Sequence, residues 1–243
     1  TEIYTLSLHD ALPIYHIGDI HGCYSALQYY FDFNGGLKDD EFYIFLGDYI
    51  DRGIENAEVL NFLISIKDKK NVFMLEGNHE RWLWLYANDV RGKSKEFELV
   101  TRPQLDAAKI SKKDLRMLYR KFGQCAYYTY NGNQFIVTHA GLSTIPDNLT
   151  FVATDQMIHG VGSYNDFETI ADTFIRTTPE NTYQIHGHRN TKSIPVQVND
   201  RVFNLEGKVE FGGCLRCVQI SNDGYKTIEM PNYVFKAPEV VQE

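Results

Sequence analysis

Five times in this chain a short run rich in β-branched and aromatic residues breaks off directly into a polar cluster containing glycine. Residues 15–17, 42–46, 72–75, 134–138 and 183–185 each have the length and composition of a buried strand. They lead into Gly18-Asp19-Ile20-His21-Gly22, Gly47-Asp48-Tyr49-Ile50-Asp51-Arg52-Gly53, Gly77-Asn78-His79-Glu80, His139-Ala140-Gly141 and His186-Gly187-His188. In open α/β sheets ligands bind outside the carboxyl ends of strands. Glycine lets the backbone turn sharply there and approach a ligand closely. A turn with a satisfied polar side chain would account for any one cluster. Five of them, all carrying Asp, Asn or His at the same kind of strand end, point to one basin. It would hold two carboxylates, an amide oxygen and several imidazoles.

Helical patterns alternate with these runs, which makes the chain α/β. Residues 25–33 set Leu27, Tyr30 and Phe31 at helical spacing and stop at Gly35-Gly36. Ala57, Leu60, Ile64 and Lys67 mark a second helix. A third is predicted over 111–122, with Ser111 and Asp114 as a capping box and Gly123 as its stop. Beyond Ile194 short strands dominate, at 196–198, 202–205, 215–220 and 226–230, and Asn222-Asp223-Gly224 closes the last pair into a hairpin. There is no internal repeat and no low-complexity linker. The expectation is a single domain over 15–235, with 236–243 a tail that reads as a truncated junction.

Composition narrows the function. The 243 residues are 43% hydrophobic, enough for one sizeable core. No apolar run reaches the roughly 18 residues a membrane span needs, so no membrane partner is expected. The net charge of −8 argues against sequence-blind coating of nucleic acid. Four cysteines do not form a disulfide framework in a chain this long, and the cytoplasm is the expected location. Ser7 to Ile14 (SLHDALPI) resembles the translation of a sequencing adapter, so 1–14 is read as non-native and set aside. Glu2 and Asp10 go with it, moving the net charge from −8 to −6. The other reading is an N-terminal strand through Ile3, Leu6 and Leu8.

The mixed oxygen and nitrogen donors suit a borderline divalent ion, Mn²⁺, Fe²⁺ or Zn²⁺. Calcium would demand oxygens only, and magnesium would keep more water. A carboxylate shared by two ions would hold them about 3.5–4 Å apart, the spacing of two-metal phosphoester hydrolysis. A water between them would lose a proton near neutral pH and be aimed at phosphorus.

The series GDIHG, GDYIDRG, GNHE, HAG and GH, in this order, resembles the calcineurin-like metallophosphoesterases. Within them it is similar to the serine/threonine phosphoprotein phosphatases and their bacterial and phage relatives. The resemblance covers about residues 15 to 220. It implies two mixed β-sheets packed as a sandwich flanked by helices, and a pair of divalent metal ions, with Mn²⁺ the leading candidate. It implies that Asp19, His21 and Asp48 hold the first ion. Asp48 would bridge to the second, completed by Asn78, His139 and His188. Asn190 stands where the broader superfamily often has a further histidine, and is not expected to bind. His79 would be the general acid, oriented by Asp51, and Arg52 would fork onto phosphate oxygens. Those roles suit the chemistry, because a poor alkoxide leaving group needs a proton and guanidinium offers two parallel donors.

Several weaker signals are weighed against bland alternatives. His186 is read as a core or supporting histidine, Cys214 and Cys217 as packing rather than half a zinc ribbon, and Cys23 as a small filler. Lys109, Lys112, Lys113, Arg116, Arg120 and Lys121 form a basic helix that is ordinarily a solvated face, with steering of a polyanion as the alternative. Trp82, Trp84, Tyr86, Tyr127, Tyr128 and Tyr130 are read as packing before a base-stacking platform. Arg189, directly after His188, is placed near the substrate phosphate.

The expected function is a phosphomonoesterase for phosphorylated protein or small phosphoesters, working by attack of a metal-bridging hydroxide. The alternative is a nucleotide or RNA-end phosphatase, of the diadenosine tetraphosphatase type or fused to an RNA-ligase-like or kinase domain. Residues 203–213 (FNLEGKVEFGG) resemble such repair modules. A metal-free scaffold is a third reading, disfavoured by the intact donor set.

Overall fold

The computed structural model describes residues 3–7, 12–190 and 194–234; the predicted tail lies outside them. Strands, numbered along the chain, form two six-stranded sheets. One runs in the order β12 (Gly224–Pro231), β11 (Cys214–Ser221), β2 (Ile14–Ile17), β3 (Phe42–Phe45), β4 (Val72–Leu75), β5 (Phe122–Gly123). The other runs β1 (Ile3–Ser7), β6 (Cys125–Tyr130), β7 (Asn133–Thr138), β8 (Thr182–His186), β10 (Val202–Asn204), β9 (Gln197–Asn199). Within them β2, β3 and β4 are mutually parallel, as are β7 and β8. The five predicted strands are therefore aligned so that their polar clusters emerge at carboxyl ends.

Alternation of side chains explains the layering. Ile14, Ile44, Phe73 and Leu75 point inward and meet Tyr128, Phe135, Val137, Ile185 and Phe203 of the other sheet. Their neighbours Tyr15, Ile17, Tyr43, Phe45 and Met74 point outward, under α1 (Tyr24–Asn34), α2 (Asn56–Ile66), α3 (Glu80–Ala87), α4 (Arg102–Ala108) and α5 (Lys112–Tyr119). On the far face α6 (Thr154–His159) and α7 (Phe167–Thr177) cover Cys125, Ile136 and Val202. The result is the helix-flanked sandwich expected from the resemblance.

Local details match the sequence reading at some points and depart from it at others. Gly35 ends α1 in the left-handed conformation, and Ser111 accepts from the Asp114 N–H at the start of α5. That third helix stops at Tyr119, however, because Phe122 and Gly123 pair with Met74 and Leu75 at the edge of the first sheet. Ile3–Ser7 pairs parallel with β6, and Ile14, at the end of the segment set aside, opens β2 and is fully buried.

One buried polar residue inside the sandwich gives a pH prediction. His16 Nδ1 donates to the Val218 carbonyl at 3.1 Å, so Nε2 carries the lone pair that accepts from the Tyr128 hydroxyl at 2.8 Å. Burial lowers its pKa from 6.5 to about 4. Between those values the unfolded chain takes a proton that the folded chain refuses, so stability falls as pH drops from 6.5 toward 4. The contribution from His16 is about 3 kcal/mol across the window. Urea titrations of wild type and His16→Asn at pH 4.5 and 7 are expected to show a shallower pH dependence in the variant. An unchanged dependence contradicts the assignment.

Candidate metal centre

The loops that follow the aligned strands are bent into conformations side chains rarely adopt. Among the described residues nine non-glycine residues have positive φ, and five of them are His21, Asp48, Asp51, Arg52 and His188. Such strain persists only where surrounding contacts fix it. Here Ile20 and His21 N–H both donate to the Asp48 carbonyl, at 3.1 and 2.8 Å. Glu80 accepts from the backbone N–H groups of Asp48, Tyr49 and Gly77 at 2.8–2.9 Å, clamping two loops together. The loops also approach closely: a Cβ on Gly187 would lie 1.9 Å from Asp19 Oδ1. Gly187→Ala is therefore expected to lower unfolding free energy by about 1–3 kcal/mol. An unchanged denaturation midpoint would show that the contact can relax freely.

All six residues expected around the metals come together. His21 Nε2 and His139 Nε2 lie 3.5 and 3.3 Å from Asp48 Oδ2. Asn78 Oδ1 is 3.3 Å from His139 Nε2, and the backbone N–H of His188 donates to Asp19 Oδ2 at 3.0 Å. Asp48, His139 and His188 offer ligand atoms within 4.8 Å of one another; so do Asp19, His21 and Glu206. Asp48 thus stands between a group containing His21 and a group containing His139 and His188.

Hydrogen bonding fixes which nitrogens are available. His21 Nδ1 donates to the Ile50 carbonyl at 2.9 Å and His139 Nδ1 to the Leu46 carbonyl at 2.8 Å. Each ring then points Nε2, and in its neutral form the Nε2 lone pair, into the basin, the tautomer a metal ligand needs; against the cost of burial, the neighbouring Asp48 carboxylate raises the pKa of His139. For His139 that lone pair faces the acceptors Asp48 Oδ2 and Asn78 Oδ1, an arrangement that only a proton or a cation relieves. Burial drives His21 down to about 4, and burial with His139 drives His188 down to about 2, so both are neutral at pH 7. Burial, Glu206 and Asp48 push the Asp19 carboxyl well above the usual range. For Asp48 burial works in the same direction, but attraction to His139 and His79 wins and holds its carboxylate ionised. Buried carboxylates and imidazoles crowded together fit a pair of divalent cations.

His79 and Arg52 border this cluster. His79 Nδ1 donates to Asp51 Oδ2 at 2.7 Å. Burial disfavours its cation, yet Asp48 and Asp51 overcome that and raise it to about 9. Cationic at pH 7, it offers Nε2–H beside Arg52 Nη2, 3.3 Å away. Two donors so close make a place for an acceptor oxygen. Arg52 Nη1 meanwhile donates to Glu210 Oε1 at 2.8 Å and reaches His21 Nε2 at 3.1 Å.

Other expectations fare unevenly. Arg189 does not face the basin: it is buried and donates to the carbonyls of Ala140, His159, Val161 and Ser163. Adjacency to His188 misled, since the backbone bends at His188, where φ is 66°, and the next side chain leaves the basin. His186 is buried with Nδ1 on the Gly187 carbonyl. Lys112 pairs with Asp89, Lys121 pairs with Asp68, and Arg116 donates to the Ala87 carbonyl, so the basic helix is partly spent locally. Trp84 stacks on Tyr119 at 4.8 Å, as packing requires. Sequence reading missed Glu206, although it follows the predicted strand 202–205 directly, as well as Glu210 and Thr101, whose hydroxyl donates to Asp51 Oδ1.

Comparison with known proteins agrees with this geometry. The family model for calcineurin-like phosphoesterase matches residues 12–209. Serine/threonine-protein phosphatase PP1-delta of Caenorhabditis elegans is 54% identical over 70 residues. That match takes in 28% of this chain and 23% of the relative's length. Among solved structures, a candidate diadenosine tetraphosphatase superposes with a TM-score of 0.71 at 16% identity, covering 96% of this chain and 98% of the other. A Saccharomyces cerevisiae protein serine/threonine phosphatase similar to human PP5 gives 0.65 at 16% identity, covering 98% and 85%. On the family match over most of its length, the chain belongs to the calcineurin-like phosphoesterase family.

Proposed function

We propose that this protein is a binuclear metal-dependent phosphomonoesterase of the serine/threonine phosphatase type, acting on phosphorylated protein or small phosphoesters. The observation that carries the reading is Asp48, a buried carboxylate with one oxygen near imidazoles on both sides. Asp19, His21 and Asp48 would hold one cation, and Asp48, Asn78, His139 and His188 the other, with Mn²⁺ favoured over Fe²⁺ or Zn²⁺. When bound, the cations supply Lewis acidity and make a water nucleophilic near neutral pH. Arg52 binds non-bridging phosphate oxygens, holding phosphorus in line for attack. As the water oxygen bonds to phosphorus, the ester P–O bond breaks and its electron pair stays on the leaving oxygen. His79 Nε2 gives that oxygen its proton, and Asp51 keeps the ring aimed. The products are inorganic phosphate and the alcohol. Four free cysteines suit a cytoplasmic setting, and among the described residues no helix is long and apolar enough to cross a membrane.

A nucleotide or RNA-end substrate is the second reading, favoured by agreement with the tetraphosphatase-like structure over nearly the whole of both chains. The test is a panel of p-nitrophenyl phosphate, a phosphoserine peptide, diadenosine tetraphosphate and 3′-phosphorylated RNA, run after chelation and Mn²⁺ add-back. Restored turnover of the phosphopeptide is expected. Turnover of the tetraphosphate or RNA alone would favour the second reading, and none on any substrate by folded, metal-loaded protein would end both.

A further inference from the structure

The segment between the third and fourth polar clusters contains an unusual element. Phe97–Thr101 forms a π-turn running directly into α4, and π-turns occur often at functional sites. Phe97 is buried in the core beneath Tyr86, with ring centroids 5.8 Å apart. Thr101, fully buried, donates its hydroxyl to Asp51 Oδ1. One helical turn on, Gln104 grips the same loop. Its Oε1 accepts from the Asn56 N–H at 2.8 Å, and Asn56 Oδ1 accepts from the Asp51 N–H, also at 2.8 Å.

Both oxygens of the buried Asp51 carboxylate are thereby assigned, Oδ1 to Thr101 and Oδ2 to His79. Asp51 and Arg52 have φ of 73° and 66°, so this loop depends on outside contacts for its shape. We propose that Thr101 is a positioning residue for proton donation: its hydroxyl fixes the Asp51 carboxylate in the plane that aims His79 Nε2 at the leaving oxygen. The segment then helps build the proton-donating apparatus instead of serving solely as a cover. This rests on the reading of His79 as the acid. Without Thr101, Oδ1 is buried with no donor, and the carboxylate can rotate away from the ring.

The step served is P–O cleavage, in which the leaving oxygen keeps the bonding pair and takes the His79 proton. Loss of Thr101 should therefore matter in proportion to how badly the leaving group needs that proton. The test measures kcat, KM and metal content for wild type, Thr101→Val, Thr101→Ser and His79→Asn on phenyl, p-nitrophenyl and 2,4-dinitrophenyl phosphate. Thr101→Val is expected to lose about tenfold in kcat on phenyl phosphate and no more than about twofold on the dinitrophenyl ester, with KM and bound metal unchanged. Thr101→Ser, keeping the hydroxyl, should recover most of the loss. If the valine variant does not fold, Thr101→Ala against Thr101→Ser makes the same comparison. A loss equal on all three esters, or none, overturns the proposal while a graded loss in His79→Asn leaves the acid in place. A flat loss in His79→Asn overturns the acid assignment and the proposal with it.

Discussion

Replacing Asp48 by asparagine is expected to lower phosphoester turnover by about a thousandfold or more, because it removes the charge shared by both donor groups. Asparagine is the informative substitution. It keeps the side-chain shape and tolerates the left-handed backbone found there, where φ is 50°. Its amide oxygen can still accept from the backbone N–H of His79, which donates to Asp48 Oδ1 at 3.1 Å. The fold should therefore survive. What disappears is the ionised oxygen flanked by His21 and His139. A second readout separates this from a folding defect. Wild type should gain stability on adding Mn²⁺, by about 2.7 kcal/mol per site at a free-ion concentration of 100 times Kd. The variant should gain little. A variant that keeps both turnover and the Mn²⁺-induced shift in Tm would remove Asp48 from the centre of the account.

The second large effect is expected at His79, and its signature is selective. His79→Asn should lose about 100- to 1,000-fold on phosphoserine peptide, whose alkoxide must be protonated. On 2,4-dinitrophenyl phosphate the loss should be within about tenfold, since that leaving group departs unaided. Asp51→Asn should follow the same gradient, because the 2.7 Å contact with His79 Nδ1 both orients the ring and favours its cation. Equal losses on both substrates would point to His79 acting on phosphate binding, alongside Arg52, and not on the leaving group.

The donor basin was legible because the chemistry is written at strand ends. Asp19, His21, Asp48, Asn78, His139 and His188 all follow short apolar runs, and parallel pairing of β2, β3 and β4 and of β7 and β8 carries those ends to one edge. Glu80 was visible in the same pattern, but its work of accepting three backbone N–H groups has no sequence sign. The rest was hidden for physical reasons. Glu206 stands two residues past β10 and Glu210 in the short 3-10 turn Val209–Phe211, and hydrophobic spacing marks neither as facing the basin. Thr101 depends on a π-turn, which hydrophobic spacing does not reveal. The two-residue strand β5 exists only because β4 leaves an unpaired edge, so a helix stop at Gly123 was the natural misreading. Arg189 looked like an anion binder from its position beside His188, whereas the fold spends its guanidinium on backbone carbonyls. Burial and charge decide such roles, and both are properties of the assembled sheets.

The most direct test is metal stoichiometry. Folded wild type and Asp48→Asn, stripped by chelation and dialysed against Mn²⁺, would be assayed by inductively coupled plasma mass spectrometry with circular dichroism as the control for folding. The account predicts about two ions per chain in wild type and fewer in the variant. Natively folded wild type retaining no transition metal under those conditions would contradict it.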